Sequence, residues 1–340
     1  MHEFLEAACD VLDLELPALE RAAAFSQEQV QEARRFFRDR IGLDHGLDIV
    51  VCGSLGRREM SAASDFDYLV VAHGLVEDVT RFRSARLACD EWCTRRSLPS
   101  PGTTGLFGRV VSATELVEQI GLEFDTNASL TRRLLLLEEG VSVLQPEKHQ
   151  QFVNVMLGRY LLEEDAGGPP WFLLNDVTRY WRTIAVDYQA KVWRDLSDDG
   201  WGLRWLKLRI SRKLTFVSAV VSALLVALEA PDDRRAFLCE QFVDVPALAR
   251  VAQLTRVLDG DEQALGDLRD VLSIADRFAA YLQDKEQRAA ARRMRPPVGA
   301  VVEPGFVEMR EASDALQACL ERLFFDAPAL RDLSRRYLTF

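Results

Sequence analysis

"GSLGRREMSAASDFDYLVV", Gly53 to Val71, decides how this chain is read. It follows the apolar run "LDIVVC". A short apolar run ended by glycine predicts a strand over Leu47–Gly53, and "DFDYLVVAHG" predicts a second over Asp65–Gly74. A Gly-Ser turn and a polar loop join them. Asp65 and Asp67 open the second strand, although burying an unpaired carboxylate costs several kcal/mol. Something must stand opposite them.

On a strand, side chains two residues apart point the same way and sit ~7 Å apart. Two carboxylates aimed at one volume stay ionised when a divalent cation lies between them. Oxygen-only ligands suit magnesium, which completes its shell with water and substrate phosphates. Gly53 lets the backbone approach a phosphate closely, and the Ser54 hydroxyl with the following amides forms an anion nest. Arg57 and Arg58 add planar cationic forks that suit phosphate. The plainer readings are solvated acids at a strand start, with Asp65 capping the turn, and an Arg57–Glu59 pair that braces the loop.

The stretch resembles the DNA polymerase β-type nucleotidyltransferase superfamily, with its glycine–serine turn followed by a D-x-D strand. Gly53, Gly56, Arg57, Glu59, Ser64, Asp65 and Asp67 are similar in spacing to the G-x-x-G-R-x-E…S-D-x-D pattern of bacterial uridylyltransferases that modify PII signal proteins. They also resemble a CBS-associated nucleotidyltransferase-like family of unknown function. "ATELVEQIGLEFDTNASLTRRLLLLEEG" resembles the helix pair that follows the catalytic strands in those proteins, so the likeness covers roughly residues 45 to 145.

The resemblance implies a metal-dependent transferase that moves an NMP from an NTP to an acceptor and releases pyrophosphate. Asp65 and Asp67 would be catalytic and hold Mg2+ or Mn2+. Gly53, Ser54, Arg57 and Arg58 would bind the nucleotide. The acceptor would be a protein, a tRNA or other RNA end, or a small molecule. The superfamily places a third carboxylate on a later strand. The matching place, "GLFGRVV", holds Phe107, Gly108 and Arg109. Asp125 in "EFDTN" is then the candidate third metal ligand, with Glu115 behind it. Asp125 also reads as the N-cap of the helix beginning "ASLTRRLLLL". The competing expectation is a catalytically lapsed nucleotide sensor or interaction protein on the same fold.

The rest of the chain frames this segment. Before it, Ser26 and Gln29 read as a capping box opening a helix with an apolar stripe at Val30, Ala33, Phe36 and Phe37. After it come a polar, arginine-rich helix over Val76–Ser97, a Pro/Gly loop into a short strand at Leu106–Val111, and a helix stopped by Gly140. "EEDAGGPP" (Glu163–Pro170) reads as a linker, and long amphipathic stretches follow it. The expected fold class is therefore α+β, a small mixed β-sheet nucleotidyltransferase domain with flanking helices followed by an all-helical domain. The expected boundaries are an N-terminal helical segment at 1–45, the nucleotidyltransferase domain at 46–162 and the C-terminal helical domain at 171–340.

In the 340 residues, 48% are hydrophobic and the formal net charge is -11, which opposes sequence-independent nucleic-acid binding. The six cysteines lack metal-ligand spacing and read as reduced, buried thiols, and four histidines disfavour histidine-based chemistry. "LTFVSAVVSALLVALEA" reads as a buried helix, and no signal peptide is recognised, so the expectation is a cytoplasmic protein without a membrane. Arg179, Arg182, Lys191, Lys207, Arg209, Arg212 and Lys213 read equally as a wall facing the triphosphate or as partners in salt bridges. The tryptophans read as packing residues.

Overall fold

The computed structural model describes residues 1–43, 46–74, 78, 80–99, 106–161, 167–194, 200–294 and 303–338. In chain order the elements are α1 (Glu3–Leu12), α2 (Pro17–Ile41), β1 (Leu47–Val51), α3 (Gly53–Gly56), β2 (Tyr68–Ala72), α4 (Thr80–Arg96), β3 (Val110–Ser112), α5 (Ala113–Glu118), α6 (Asn127–Glu139), β4 (Val141–Ser142) and α7 (Pro146–Tyr160). Then follow α8 (Trp171–Arg194), α9 (Trp201–Lys207), α10 (Lys213–Glu229), α11 (Arg234–Val243), α12 (Ala247–Ala252), α13 (Glu262–Gln283), α14 (Lys285–Arg293), α15 (Pro304–Phe325) and α16 (Pro328–Tyr337). The class is α+β, mostly helical with one small mixed sheet.

The chain forms two compact units, and both are discontinuous in sequence. One takes Ala22–Phe172 and Ala230–Pro246; the other takes Met1–Arg21, Leu173–Glu229 and Ala247–Phe340. The first 21 residues therefore group with the C-terminal helices, and α11 groups with the sheet. A division read in chain order, such as 1–45, 46–162 and 171–340, has no way to register these exchanges. The linker read at Glu163–Pro170 lies partly outside the described residues.

In the sheet-bearing unit the strand order is β3-β2-β1-β4. β1 pairs antiparallel with β2, Val51 opposite Tyr68, and with β4; β2 pairs parallel with β3. Alternation sorts the side chains. Leu47, Ile49 and Val51 join Phe66, Tyr68 and Val70 in one core, which includes Phe37 from α2 and Trp92 from α4. Asp48, Val50, Leu69 and Val71 take the other face, also buried, where α7 contacts β1. Because successive strand residues alternate, Asp65 and Asp67 continue this second face.

Ser26 departs from the sequence expectation. It opens no helix, because α2 runs through it from Pro17. Its buried hydroxyl donates to the Ala22 carbonyl (2.7 Å) and accepts from the Met60 N–H (2.9 Å), tying α2 to the loop after α3.

Among its described residues the second unit has helices joined by turns and no strand. Trp201–Glu229 is continuous, and it is long and apolar enough to cross a membrane, yet 78% of its apolar window is buried inside the protein. It is a core helix, with Leu203, Leu206, Ile210 and Leu214 inside. Its Leu208–Arg212 segment is a π-helix. The basic residues here are engaged: Arg209 pairs with Asp314 (2.5 Å), Lys191 with Asp187 (2.6 Å), and Lys213 donates to Gln317 (2.6 Å). Trp181 stacks on Phe216, and Trp201 and Trp205 pack on Phe306, as packing residues do, whereas Trp193 departs from that expectation and is 74% exposed. Five of the six thiols are buried and all six are free.

Candidate active site

The turn after β1 is built by Gly53. Its φ is +66°, a left-handed conformation that β-carbon sterics disfavour. A β-carbon there would lie 2.7 Å from an Asp67 carboxylate oxygen. Glycine is therefore required twice, once by the backbone and once by the carboxylate resting on it. The Cys52 N–H donates to the Asp67 carbonyl at 2.9 Å, extending the β1–β2 pairing by one residue and fixing Asp67 over the turn. The aspartates thus precede the regular strand, which starts at Tyr68.

Asp65 and Asp67 are both half-buried. The Asp65 carboxylate has no hydrogen bond or ion pair among the described residues, so neither the turn nor a basic side chain consumes it. Ser54 is half-buried, and its carbonyl accepts from the Glu59 N–H at 2.7 Å, which closes the loop. The donor set offered here is hard oxygen: two carboxylates with a hydroxyl nearby in sequence. It fits magnesium or manganese in kind.

Arg57 does not face this opening. It is buried, its Nε donates to Glu59 (3.0 Å), and its Nη1 donates to Glu139 at the end of α6. Burial lowers its pKa, and the two carboxylates more than reverse that, so the guanidinium is held charged. Arg57 is corrected from a nucleotide-binding residue to a brace. Gly56 completes the joint, since a β-carbon there would meet the Glu139 carbonyl at 1.8 Å. The loop thus rests on the end of α6 through backbone contact and ion pair together.

Arg58 is different. Its φ is +64°, strained for a residue with a β-carbon, and strain of this kind concentrates at functional turns. It is half-buried and donates to Gln27. Burial first, and then Arg34, push its pKa down. Two guanidiniums that repel one another gain from an anion beside them. Arg58 keeps its place as a phosphate-binding candidate.

Asp125 is corrected as a metal ligand. Arg133 grips both of its oxygens at 2.9 Å, and the Gly121 N–H donates to it at 3.2 Å. Arg133 is fully buried and also donates to the Tyr160 hydroxyl at 2.8 Å. Asp125 is a structural counter-ion for a buried guanidinium. Nor is it the N-cap of α6: Thr126 caps, accepting from the Ser129 N–H. Beside Tyr68 the parallel edge presents Gly108, whose N–H donates to the Tyr68 carbonyl, and Arg109 follows it, so no acid stands at this edge among the described residues. Glu115 sits in the first turn of α5, exposed.

The sequence reading missed two features. One is Glu139, whose role required knowing that α6 ends against the α3 loop. The other lies at the far end of the same strand pair. Asp48 is completely buried on β1; it accepts from the Ser142 hydroxyl and the Gln145 N–H, both at 2.9 Å. His73 stands 3.9 Å away, and buried His149 is near enough to feel both. An acid inside the run "LDIVV" was the available signal. No protein-family model matches this chain, and no curated protein matches it.

Proposed function

We propose that this protein is a metal-dependent nucleotidyltransferase. The observation that carries the reading is the seating of Asp67 against Gly53, with the Asp65 carboxylate beside it in sequence and engaged by no other side chain. A carboxylate left like that of Asp65 is costly to keep half-buried without a cation. The resemblance at seven positions points to the same chemistry.

In the proposed reaction an acceptor hydroxyl attacks the α-phosphorus of an NTP. The new bond joins the acceptor oxygen to that phosphorus; the bond to the bridging oxygen breaks, and pyrophosphate leaves. Magnesium held by Asp65 and Asp67 would supply charge stabilisation for the phosphates and a lower pKa for the attacking hydroxyl. The Ser54 hydroxyl and the amides of the turn would contact the β- and γ-phosphates. Arg58, with Arg34 behind it, would add positive potential. Arg57, Glu59 and Glu139 would hold the turn in place and touch no substrate. The acceptor class is a protein, an RNA end or a small molecule, and the net charge of -11 weighs against RNA.

A second reading, a nucleotide sensor with lapsed catalysis, draws on the same site. It is favoured by Arg133's hold on Asp125 and by the absence, among the described residues, of an acid at the Gly108–Arg109 edge. Incubation with each α-labelled NTP, magnesium or manganese, and a lysate separates the two. Label entering a product with wild type but not with Asp65→Ala/Asp67→Ala supports transfer. Metal-dependent NTP binding without transfer supports the sensor, and loss of both ends the proposal.

A further inference from the structure

The helical unit contains a cavity of about 290 Å3 between the end of α13, the length of α14 and the start of α15. Its walls include Tyr281, Phe306, Glu286, Glu303, Arg293 and Gly305. Two aromatic residues and two carboxylates on one small concavity are the chemistry that holds an organic cation, through the negative faces of the rings and through charge.

The polar groups in this wall are uncommitted. Tyr281 is 4% exposed, yet its hydroxyl has no hydrogen-bond partner. Buried tyrosine hydroxyls are ordinarily satisfied, so the orphan asks for an occupant. The side chains of Glu286 and Glu303 make no hydrogen bond or ion pair among the described residues, and Glu303 does not cap its own helix. The local field is negative: burial and then Glu303 and Asp284 push the Tyr281 hydroxyl up to about 12.

Two features pull the other way, and neither prevails. Arg293 lies seven residues beyond Glu286, about two helical turns and ~10 Å along α14. The helix starts that border the cavity favour anions in principle. However, Asp284 already accepts from the Glu286 and Gln287 N–H groups at the start of α14, and Glu303 places a carboxylate at the start of α15.

We propose that this cavity binds a small organic cation with an ammonium head group, seated between Tyr281 and Phe306 and neutralised by Glu286 and Glu303. The inference is independent of the transferase reading and stands or falls separately. Calorimetric titration of the full-length protein tests it, with choline and ethanolamine as cationic probes, 3,3-dimethylbutanol as the neutral shape of choline, and acetate as an anion.

Saturable one-site binding of choline or ethanolamine is expected, with the neutral analogue at least about tenfold weaker. Glu286→Gln/Glu303→Gln lowers cation affinity about tenfold or more, the size of a charge-assisted contact. Tyr281→Phe lowers it about threefold. Circular dichroism confirms that the variants fold, which the lack of partners for both glutamates leads us to expect. The proposal is overturned if neither cation binds saturably, if the neutral analogue binds equally well, if the double glutamine variant binds undiminished, or if acetate binds in place of the cations.

Discussion

The β1–β2 pair carries acids at both ends of one face, and the two ends treat them oppositely. At the α3 end, Asp65 and Asp67 are half-buried around a glycine, and the Asp65 carboxylate meets no other side chain. At the other end Asp48 is sealed in, with two hydrogen bonds to one oxygen and His73 3.9 Å from the other. His149 is buried beside them, near the Gly140 backbone. The difference teaches what makes an ionisable cluster useful. Groups that keep access to water can exchange partners with a ligand, whereas groups that lose it make their protonation a term in folding itself.

The largest expected effect lies at the open end. Asp65→Ala reduces nucleotidyl transfer by about a thousandfold or more, the scale of losing a charge-stabilising group at a reacting phosphate. The same substitution leaves the unfolding free energy from urea titration within about 0.5 kcal/mol of wild type, because the Asp65 carboxylate makes no other hydrogen bond or ion pair among the described residues. An equal loss of stability would erase the contrast between the two ends.

Arg57→Ala does the reverse. It takes the buried guanidinium away from Glu59 and Glu139 and costs about 3–5 kcal/mol of stability, read from equilibrium unfolding. Asp125→Asn costs about 3 kcal/mol by weakening the grip on buried Arg133, and it leaves metal-dependent NTP binding intact. Loss of metal binding in a still-folded Asp125→Asn protein would return that residue to the ligand set.

Gly53→Ala costs about 1–2 kcal/mol from the left-handed backbone, measured by thermal unfolding, and crowding by Asp67 adds to it. The smallest effect belongs to the sealed end. Burial, above all, holds the His149 pKa below its ordinary value; His73 adds to this, and Asp48 and the Gly140 backbone oppose it. Acidification therefore protonates the unfolded chain first. The contribution is full above about pH 6.5 and is lost as pH falls below it, with a slope of at most about 1.4 kcal/mol per pH unit from this group. His149→Gln removes that slope between pH 7.5 and 5 in urea titrations; an unchanged slope assigns it elsewhere.

Much of the sheet was legible because its signals are local. β1 and β2 announce themselves as apolar runs, and Gly140 marks the end of α6. The Gly53 turn and the aspartates were legible as a pattern, since spacing alone carries it. What escaped depended on distant partners. Arg57 turns inward because Glu139, 82 residues away, waits at the end of α6. Arg133 lies only eight residues beyond Asp125, but the surroundings that bury its fork, Tyr160 among them, come from further along the chain. Ser26 resembled a helix cap because capping residues are identical in type to those that bond their own helix backbone. The two-residue β4 is too short for any periodicity to mark.

The interleaving of the two units also sets an order of events during synthesis. Met1–Arg21 belongs with segments that end at Phe340, and the Ala18 and Leu19 N–H groups are received by Asp276 at 2.8 Å. The sheet-bearing unit has all its pieces once Pro246 has left the ribosome. The Met1–Arg21 segment is made before the other two pieces of its unit, Leu173–Glu229 and Ala247–Phe340. Until α12 and α13 are made, α1 is an amphipathic segment without its native cover.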